Sequence, residues 1–451
     1  MDESSKCSFP QTPPEVSTRD SMTDDRLRAA RLDNLTHTLA GLLLAEAAVQ
    51  LRGRKAGSTF RSTAYVASAV VNNVPDTDFL WSGITPRPLG YLLHHRGHSH
   101  TLPAALAMGL LAWTVVAIVL RRRNPSAARA DRALLAGLCL LGPLVHIAMD
   151  FTNNYGVHPF WPLNDGWLYG DAVFIVEPLF WAVGLPALVF SAERKVTRVA
   201  FALVLAAGVG ACWALSFVLR DSAILVTALA VVACANAWRL PPRTRVVHGI
   251  ASSLAVAVML FASSRAARST LRRSAVVSGM NVVGLVTTPT PANPFCWSLL
   301  AVGTRGADYV VRRALVSTLP SWRRAGACPV DPGEEPTAPF VHFDAPTTAD
   351  VAPRGEFTAR RRELVALAED NCEAATFMRF ARVPYFVHTN EGAIVGDLRY
   401  DRKPGLDFAD LRLPAKAAAC PQFVPPWLPP RRDLLSPERA GAEPGAAHGL
   451  E

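Results

Sequence analysis

Histidine and aspartate recur in four short segments of the chain, at spacings that suit a metal site. Asp33 and His37 stand four residues apart in "DNLTH", and His146 and Asp150 stand four residues apart in "HIAMD". On a helix each pair projects from one face, a single turn apart, so that a carboxylate and an imidazole can bind the same ion or neighbouring ions. The spacing therefore predicts two helices that each present both kinds of ligand.

Two further segments lie between these pairs. In "PDTD" the proline perturbs a helix, and Asp76 and Asp78 follow on a chain that is leaving it, where a ligand can be aimed. In "HRGHSH", His95 and His100 flank Gly97, whose missing side chain lets the backbone turn sharply. Of the four histidines in "HHRGHSH", these two are the predicted ligands, and the other two are predicted to be supporting or solvated groups.

These donors are imidazoles and carboxylates without cysteine, a mixture that suits Zn²⁺, Mn²⁺ or Fe, and about seven of them leave room for one or two ions. Such an ion lowers the pKa of bound water toward about 7 and polarises a phosphoryl or acyl oxygen, which is the usual basis of metal-assisted hydrolysis. Asp78 or Asp150 is a candidate general base where it is not occupied as a ligand. Arg96 either forks onto a phosphate or pairs with Asp76 or Asp78.

The elements that must position these residues are apolar helices. Half of the 451 residues are apolar and the formal charge is +9, and the apolar residues gather into long runs between Leu35 and about residue 264, which indicates a polytopic membrane protein. The basic residues lie largely between the runs, which favours membrane topology over nucleic-acid binding. Eight spans, give or take one or two, are predicted at residues 35–51, 62–81, 101–120, 133–151, 172–191, 199–219, 223–238 and 246–264.

Helix parity predicts that the four segments meet. In an up-and-down bundle, the starts of odd spans and the ends of even spans lie on the same membrane face, and each segment stands at one of those positions. A single His or Asp near a membrane surface is more often a solvated cap than a ligand. Ionisable groups in or near a membrane are nevertheless costly and tend to be functional, so their recurrence on one face favours a metal site.

The distribution of basic residues suggests which face this is. Lys and Arg follow the odd spans, whereas the loop 152–170 has neither, so the positive-inside rule puts the His and Asp segments outside. Arginines before the first span and after the last one argue the other way. The loop after the fourth span is aromatic, with Tyr155, Trp161, Trp167 and Tyr169, and is predicted either to line the membrane interface or to roof the site, with Asp171 as a further ligand or base.

At these residues the sequence resembles the family of LexA-regulated, inner-membrane, metal-dependent hydrolases. The resemblance runs from about residue 33 to residue 181 and rests on "DNLTHTLAG", "VPDTD", "HRGHSHT" and "HIAMDFTNNYG" in this order. Departures from the family pattern are Ser99 in place of Thr, Thr101 in place of Ser, and Glu177 in place of Asp before a proline, and each preserves the hydroxyl or carboxyl group.

The resemblance implies an all-helical enzyme of the inner bacterial membrane, distantly similar to the zinc-dependent phospholipase C and single-strand nuclease fold. It also implies a set of metal ligands, which comprises His37, Asp76, Asp78, His95, His100, His146 and Asp150. It implies no substrate.

The chain after residue 264 reads as a soluble α+β domain. "FMRFARVPYFVHT" and "AIVGDLRY" predict a β-hairpin around the turn "NEG", residues 358–370 predict a helix with Thr358 as a possible cap, and "TPTPANPFCW" predicts an extended entry segment. Its four cysteines allow two disulfides in three connectivities if the domain lies outside the cytoplasm, or four free thiols.

The sequence thus predicts an all-α polytopic transmembrane bundle of about seven to eight spans with a C-terminal soluble α+β domain. The predicted divisions are a disordered tail at 1–32, the membrane domain at 33–264, the soluble domain on the outer face at 265–420, and a Pro-rich disordered tail at 421–451. The expected function is a membrane hydrolase that uses one or two divalent ions, zinc first, on a phosphoester of a lipid or lipid-linked substrate. The alternative is a non-catalytic metal-binding transporter or sensor, which would place its His and Asp deeper within the spans.

Overall fold

The computed structural model describes residues 18–329, 339–390, 392–400, 408–414 and 419–435, and of residues 18–33 it describes the backbone helix alone. Within this part of the chain the first half is helical. Its helices are α1 Thr18–Arg52, α2 Ser58–Val71, α3 Leu89–His94, α4 Leu102–Arg123, α5 Arg129–Phe151, α6 Pro178–Ser191, α7 Lys195–Ala214, α8 Arg220–Arg239 and α9 Pro242–Arg272. The predicted tail at 1–32 therefore includes the start of α1, and residues 1–17 lie outside the described part.

Five of the described helices, α4, α5, α7, α8 and α9, are long and apolar enough to cross a membrane. Their outer faces carry large apolar side chains such as Leu111, Leu203 and Leu254, each more than 60 % exposed, which suits contact with lipid rather than with water. The chain is therefore a multi-pass membrane protein. The helix α6 is apolar but shorter.

The predicted count of seven to eight spans is not confirmed. The predicted span 62–81 does not form, because α2 ends at Val71 and a 3₁₀ segment, Val74–Leu80, follows it. The 14 residues of α2 reach only about 21 Å, which is short of the ~30 Å hydrocarbon core. Asn72, Asn73 and Pro75 interrupt the apolar run here, and the same interruption releases the chain that carries Asp76 and Asp78.

The second half of the chain contains two antiparallel sheets. The first has the order β1 Asn281–Thr290, β2 Asn293–Arg305, β3 Asp308–Ser317 and β4 Val351–Arg360, and the second has the order β5 Pro384–Thr389, β6 Gly392–Asp397 and β7 Asp410–Pro414. Three short helices accompany them, α10 Arg361–Asp370, α11 Cys372–Phe377 and α12 Arg432–Leu435. A C-terminal β-sheet region is thus present as predicted.

Details of this region differ from the sequence prediction. The predicted hairpin exists as β5 paired with β6, with Thr389 opposite Gly392, but its first strand begins only at Pro384, because Phe377 ends α11. Thr358 lies in β4 instead of capping a helix, and its hydroxyl donates to Glu356. The segment predicted to be an extended entry forms the β1–β2 hairpin, whose turn packs against α6 through Ala292.

The C-terminal β-sheet region and the helical region share one core. Leu92 and Leu93 of α3 pack in the same apolar cluster as Phe377 and Trp427. Two disulfides, Cys296–Cys328 and Cys372–Cys420, link segments of the β-sheet region. The Pro-rich stretch predicted to be disordered is packed over 419–435, where Trp427 is 1 % exposed, whereas residues 436–451 lie outside the described part.

Candidate metal centre

Four separate elements bring the predicted residues to one end of the helical region. His37 lies in α1, His146 and Asp150 occupy the last turns of α5, and the remaining predicted ligands lie on the two 3₁₀ segments and the loop between them. Those remaining ligands are Asp76 and Asp78 of Val74–Leu80, His95 directly after α3, and His100 of His98–His100. The convergence expected from helix parity is thus present, although α2 is not a span.

Four side-chain atoms form the centre of the cluster. They are Asp76 Oδ1, His100 Nε2, His146 Nε2 and Asp150 Oδ2, and five of the distances between them range from 2.9 to 3.5 Å. The two histidines and Asp150 are 0–2 % exposed at the side chain, and Asp76 is 13 % exposed. The centre is therefore buried, with Asp76 on its most accessible side.

These separations fit a metal ion. A tetrahedral zinc site with ligands at about 2.0–2.1 Å has ligand-to-ligand edges of about 3.3–3.4 Å, and the measured distances lie around that value. In addition, Asp76 Oδ1 and Asp150 Oδ2 make no hydrogen bond within the described protein although both are buried. Because buried acceptors without a donor are costly, a cation at this point would satisfy both.

Each imidazole is turned toward the centre by a partner behind it. The ring of His146 has Nδ1 2.7 Å from the carbonyl oxygen of Asn72, which only accepts, so Nδ1 carries the hydrogen and Nε2 offers its lone pair. His100 has Nδ1 3.3 Å from Asp78 Oδ2. Metal-bound histidines commonly donate their other nitrogen to a carbonyl or carboxylate in this way.

Asp78 is surrounded by donors. Its Oδ2 accepts from the backbone N–H of Arg96 at 2.8 Å and from the hydroxyl of Ser99 at 2.9 Å, and its Oδ1 lies 3.1 Å from His95 Nδ1. Together with His100 these four donors occupy the lone pairs of a carboxylate that is fully buried. The arrangement suits a residue that orients the loop and His100 better than it suits a general base.

A second group of potential ligands adjoins the first. Asp76, Asp78 and His95 also place one donor atom each within 4.8 Å of one another, and Asp76 belongs to both groups. The charges favour one ion, however. With neutral imidazoles, the charges of the cluster's described residues are three negative ones on Asp76, Asp78 and Asp150 and one positive one on Arg96, which a single divalent ion would balance.

Arg96 pairs with a residue that the sequence did not indicate. Its Nη2 lies 3.0 Å from Asp150 Oδ1 rather than on the side chain of Asp76 or Asp78, and the residue is 1 % exposed. The backbone at Arg96 has φ of +57°, so the sharp turn predicted at Gly97 occurs one residue earlier. Glycine is still required next to it, because a Cβ at Gly97 would lie 2.8 Å from the carbonyl oxygen of His94.

His37 lies at the edge of the cluster and outside both groups of ligands. Its Nε2 is 3.3 Å from Asp150 Oδ1, and its ring stacks on that of His146 with 3.8 Å between centroids. The side chain of its predicted companion, Asp33, lies outside the described part of the chain. His37 thus lies beside the centre and provides none of the four donor atoms.

The aromatic loop after α5 lies between the cluster and the β-sheet region. Tyr155 and Trp167 are less than 9 % exposed, and they donate hydrogen bonds to the carbonyl oxygens of Leu92 and Arg379. These two rings are therefore packed between the two regions, whereas Phe160 and Leu163 of the same loop are exposed.

The prediction of Asp171 as a further ligand or base is not supported by its position. Its carboxylate is fully buried and pairs with Arg268 of α9 at 2.8 Å and with Arg382 of the β-sheet region at 2.7 Å. Two ion pairs thus occupy both of its oxygens, and it belongs to neither group of potential ligands.

Two residues near the centre escaped the sequence prediction. His158 is fully buried against the ring of Trp427, with 3.7 Å between centroids, and Trp427 also donates to the carbonyl oxygen of Leu93 at 2.7 Å. Burial lowers the pKa of His158 to about 3, so the ring is neutral and acts in packing. Neither residue stands in a motif, so only the fold reveals that they support the loop of Arg96.

The remaining histidines of "HHRGHSH" belong to neither group of potential ligands. His94 Nε2 lies 2.9 Å from the hydroxyl of Thr85, and His98 packs against Trp161 and Trp427. Burial lowers the pKa of both rings. For Asp76, burial opposes ionisation, but the adjacent imidazoles of His100 and His146 outweigh it and keep the pKa well below its usual value.

Comparison with known proteins agrees with the membrane assignment. The model of the YdjM inner membrane protein family matches residues 32–222. No curated protein and no solved structure matches the chain. The likeness to zinc-dependent phospholipase C and single-strand nucleases stays a prediction. All the residues of the cluster lie in the part of the chain that is similar to this inner membrane protein family, whereas both sheets lie outside it.

Proposed function

We propose that the protein is an integral membrane hydrolase that uses a divalent ion, zinc first and Mn²⁺ or Fe as alternatives, on a phosphoester of a lipid or lipid-linked substrate. The observation that supports this proposal is the convergence of two carboxylate oxygens and two imidazole nitrogens at the ends of membrane helices. A lipid headgroup lies at this level of a bilayer, so its ester bond would meet the cluster without leaving the membrane.

The residues of the cluster would have different roles. Asp76, His100, His146 and Asp150 would hold the ion, and Asp78 would keep His100 and the backbone of Arg96 in position. A bound divalent ion would supply Lewis acidity and the activation of water. His37, beside Asp150 but outside the donor set, would face the substrate.

Arg96 contributes charge to the site. Its guanidinium lies on Asp150 Oδ1, on the other side of that carboxylate from the two imidazoles. It therefore holds Asp150 in a single orientation and offsets one negative charge next to the position where an anionic phosphoester would arrive.

The test begins with metal content. Detergent-purified wild type is compared with His100→Ala plus Asp150→Ala, and with the control His98→Ala, which changes a histidine of the same motif that lies outside the cluster. We expect bound metal in wild type and control and none in the double variant. Equal metal content in all three would refute the site.

Activity is then measured with a panel of phosphoester and acyl-ester substrates, before and after removal of the metal and its return. Turnover that follows the metal and is absent from the double variant supports the hydrolase. Stoichiometric metal with no turnover of any substrate would support the rival function instead, that of a non-catalytic transporter or sensor of divalent metal.

A further inference from the structure

A cavity of about 410 Å³ lies between α1, α5, α6 and α9 and reaches the metal cluster. Its polar end is formed by His37 and Asp150, and Glu177 also lines it. Away from this end the walls are almost wholly apolar, and Ser253, a polar residue farther along, donates its hydroxyl to the carbonyl oxygen of Gly249. The cavity is thus amphipathic, with its charged groups at one end.

The length of the cavity matches one leaflet of a membrane. Its wall on α6 runs from Phe180 to Leu188, which at 1.5 Å per residue is about 12 Å along the helix. One leaflet contributes about 15 Å of hydrocarbon. The cavity therefore extends from the level of the cluster through most of the depth of a leaflet.

The cavity opens at the outer surface of the helical region. Ala148 of α5 and Leu254 of α9 both line it and are both exposed, Leu254 by 63 %. Both helices are long and apolar enough to span a membrane, and both pack on α1, which forms the back wall. The opening between them therefore faces lipid when the helices are in a bilayer.

We propose that this cavity holds one hydrocarbon chain of a membrane lipid and so aligns the headgroup of that lipid with the metal cluster. The reaction at the headgroup rests on the proposed function, whereas the binding of the chain does not. Water is a poor occupant because apolar cavities lack hydrogen-bond partners for it. Since a chain leaves one apolar environment for another on entering from the bilayer, the cavity contributes position more than affinity.

The test uses a photoreactive lipid and a pair of matched variants. Ala257 of α9 lines the cavity, and Ala255 on the same helix is exposed and is not among the residues that line it. The full-length protein is placed in nanodiscs that contain phosphatidic acid with a diazirine near the end of one acyl chain, and cross-linked residues are mapped by mass spectrometry.

In wild type we expect cross-links on Leu43, Leu185 and Leu188. Ala257→Phe fills the cavity and should reduce these cross-links about tenfold, whereas Ala255→Phe should leave them unchanged. Gly184→Leu fills the cavity from the opposite wall and should act like Ala257→Phe, since a Cβ at Gly184 meets its nearest atom at 3.4 Å. This second variant keeps the test valid if one of the two does not fold.

The outcomes separate the two proposals. Cavity cross-links that the filling variants remove establish the chain site, even if wild type hydrolyses no lipid and the proposed function fails. Cross-links confined to the outer faces of α4 and α7, or equal labelling in all variants, would overturn the chain site, and lipid hydrolysis by wild type would then leave the proposed function intact.

Discussion

Replacing Asp78 with asparagine tests whether this residue orients the metal ligands or is itself a ligand. The motif in the sequence and the family resemblance predict that Asp78 is itself a ligand. In the structure its two oxygens receive Arg96 N, Ser99 Oγ, His95 Nδ1 and His100 Nδ1 at 2.8 to 3.3 Å. Asn has nearly the same shape, but it has no negative charge and replaces one acceptor by a donor.

The magnitude follows from these four contacts. If the amide nitrogen takes the position of Oδ1, the contact with His95 is lost. The other three hydrogen bonds become neutral instead of charge-assisted, and each of them loses about 1 kcal/mol. With about 1.5–3 kcal/mol more for the lost contact with His95, we expect a total loss of about 5 kcal/mol in the free energy of unfolding. Only the contact with His100 bears directly on the metal, and outer partners of this kind typically change metal affinity by about 10–100-fold.

The assay is a zinc titration against a competing chelator in detergent, together with thermal unfolding of the same samples. Asp78→Asn should bind the same number of ions as wild type with a Kd weaker by about 10–100-fold. Ser99→Ala, which removes one donor and keeps the carboxylate, should change the Kd by no more than about fivefold. Asp150→Asn should lose the ion. If Asp78→Asn lowered the number of bound ions, Asp78 would be a ligand, and an unchanged Kd would refute its orienting role.

Three further predictions concern the β-sheet region and the topology. Breaking the Cys372–Cys420 disulfide, which joins residues 48 positions apart, should cost up to about 4 kcal/mol in unfolding free energy, and a Cys372→Ser variant as stable as wild type in denaturant would contradict this. Burial opposes the charge of Glu356, but hydrogen bonds from Arg312 and a second arginine outweigh it and lower its pKa. Glu356→Gln should therefore destabilise the folded protein at pH 7 and progressively less below about pH 4. A difference in stability that does not change with pH would contradict this. A cysteine at Asn164, which is exposed, should react with a membrane-impermeant maleimide from outside, and reaction only after permeabilisation would reverse the proposed orientation.

The meeting of His and Asp residues was predictable because it depends on helix direction alone. His146 and Asp150 had to share a helix face, and parity placed Asp76 and His100 at the same end of the bundle. The presence of a His and Asp cluster that could hold a metal ion is therefore confirmed. This success did not require a correct span count, since α2 and the 3₁₀ segment after it run in the direction assumed for one long span.

The different roles of those residues were not predictable from the sequence. Asp76 and Asp78 stand two residues apart in the same motif, yet one faces the centre and the other faces the donors behind it, because the 3₁₀ backbone turns them apart. Arg96 and Asp150 lie far apart in the chain, so no pattern indicated their ion pair. The burial of Trp427 likewise depends on contacts with residues more than 250 positions away, which local composition cannot report.

The two ion pairs of Asp171 limit how the protein can move. One of its partners, Arg268, lies on α9 and the other, Arg382, lies in the β-sheet region. This one buried carboxylate therefore links a candidate span, the loop after α5 and the β-sheet region. A movement of α9 against the β-sheet region would break at least one of these two ion pairs, at a cost of about 3–5 kcal/mol for a broken buried pair. These ion pairs thus favour a fixed position of the β-sheet region over the loop that covers the metal cluster.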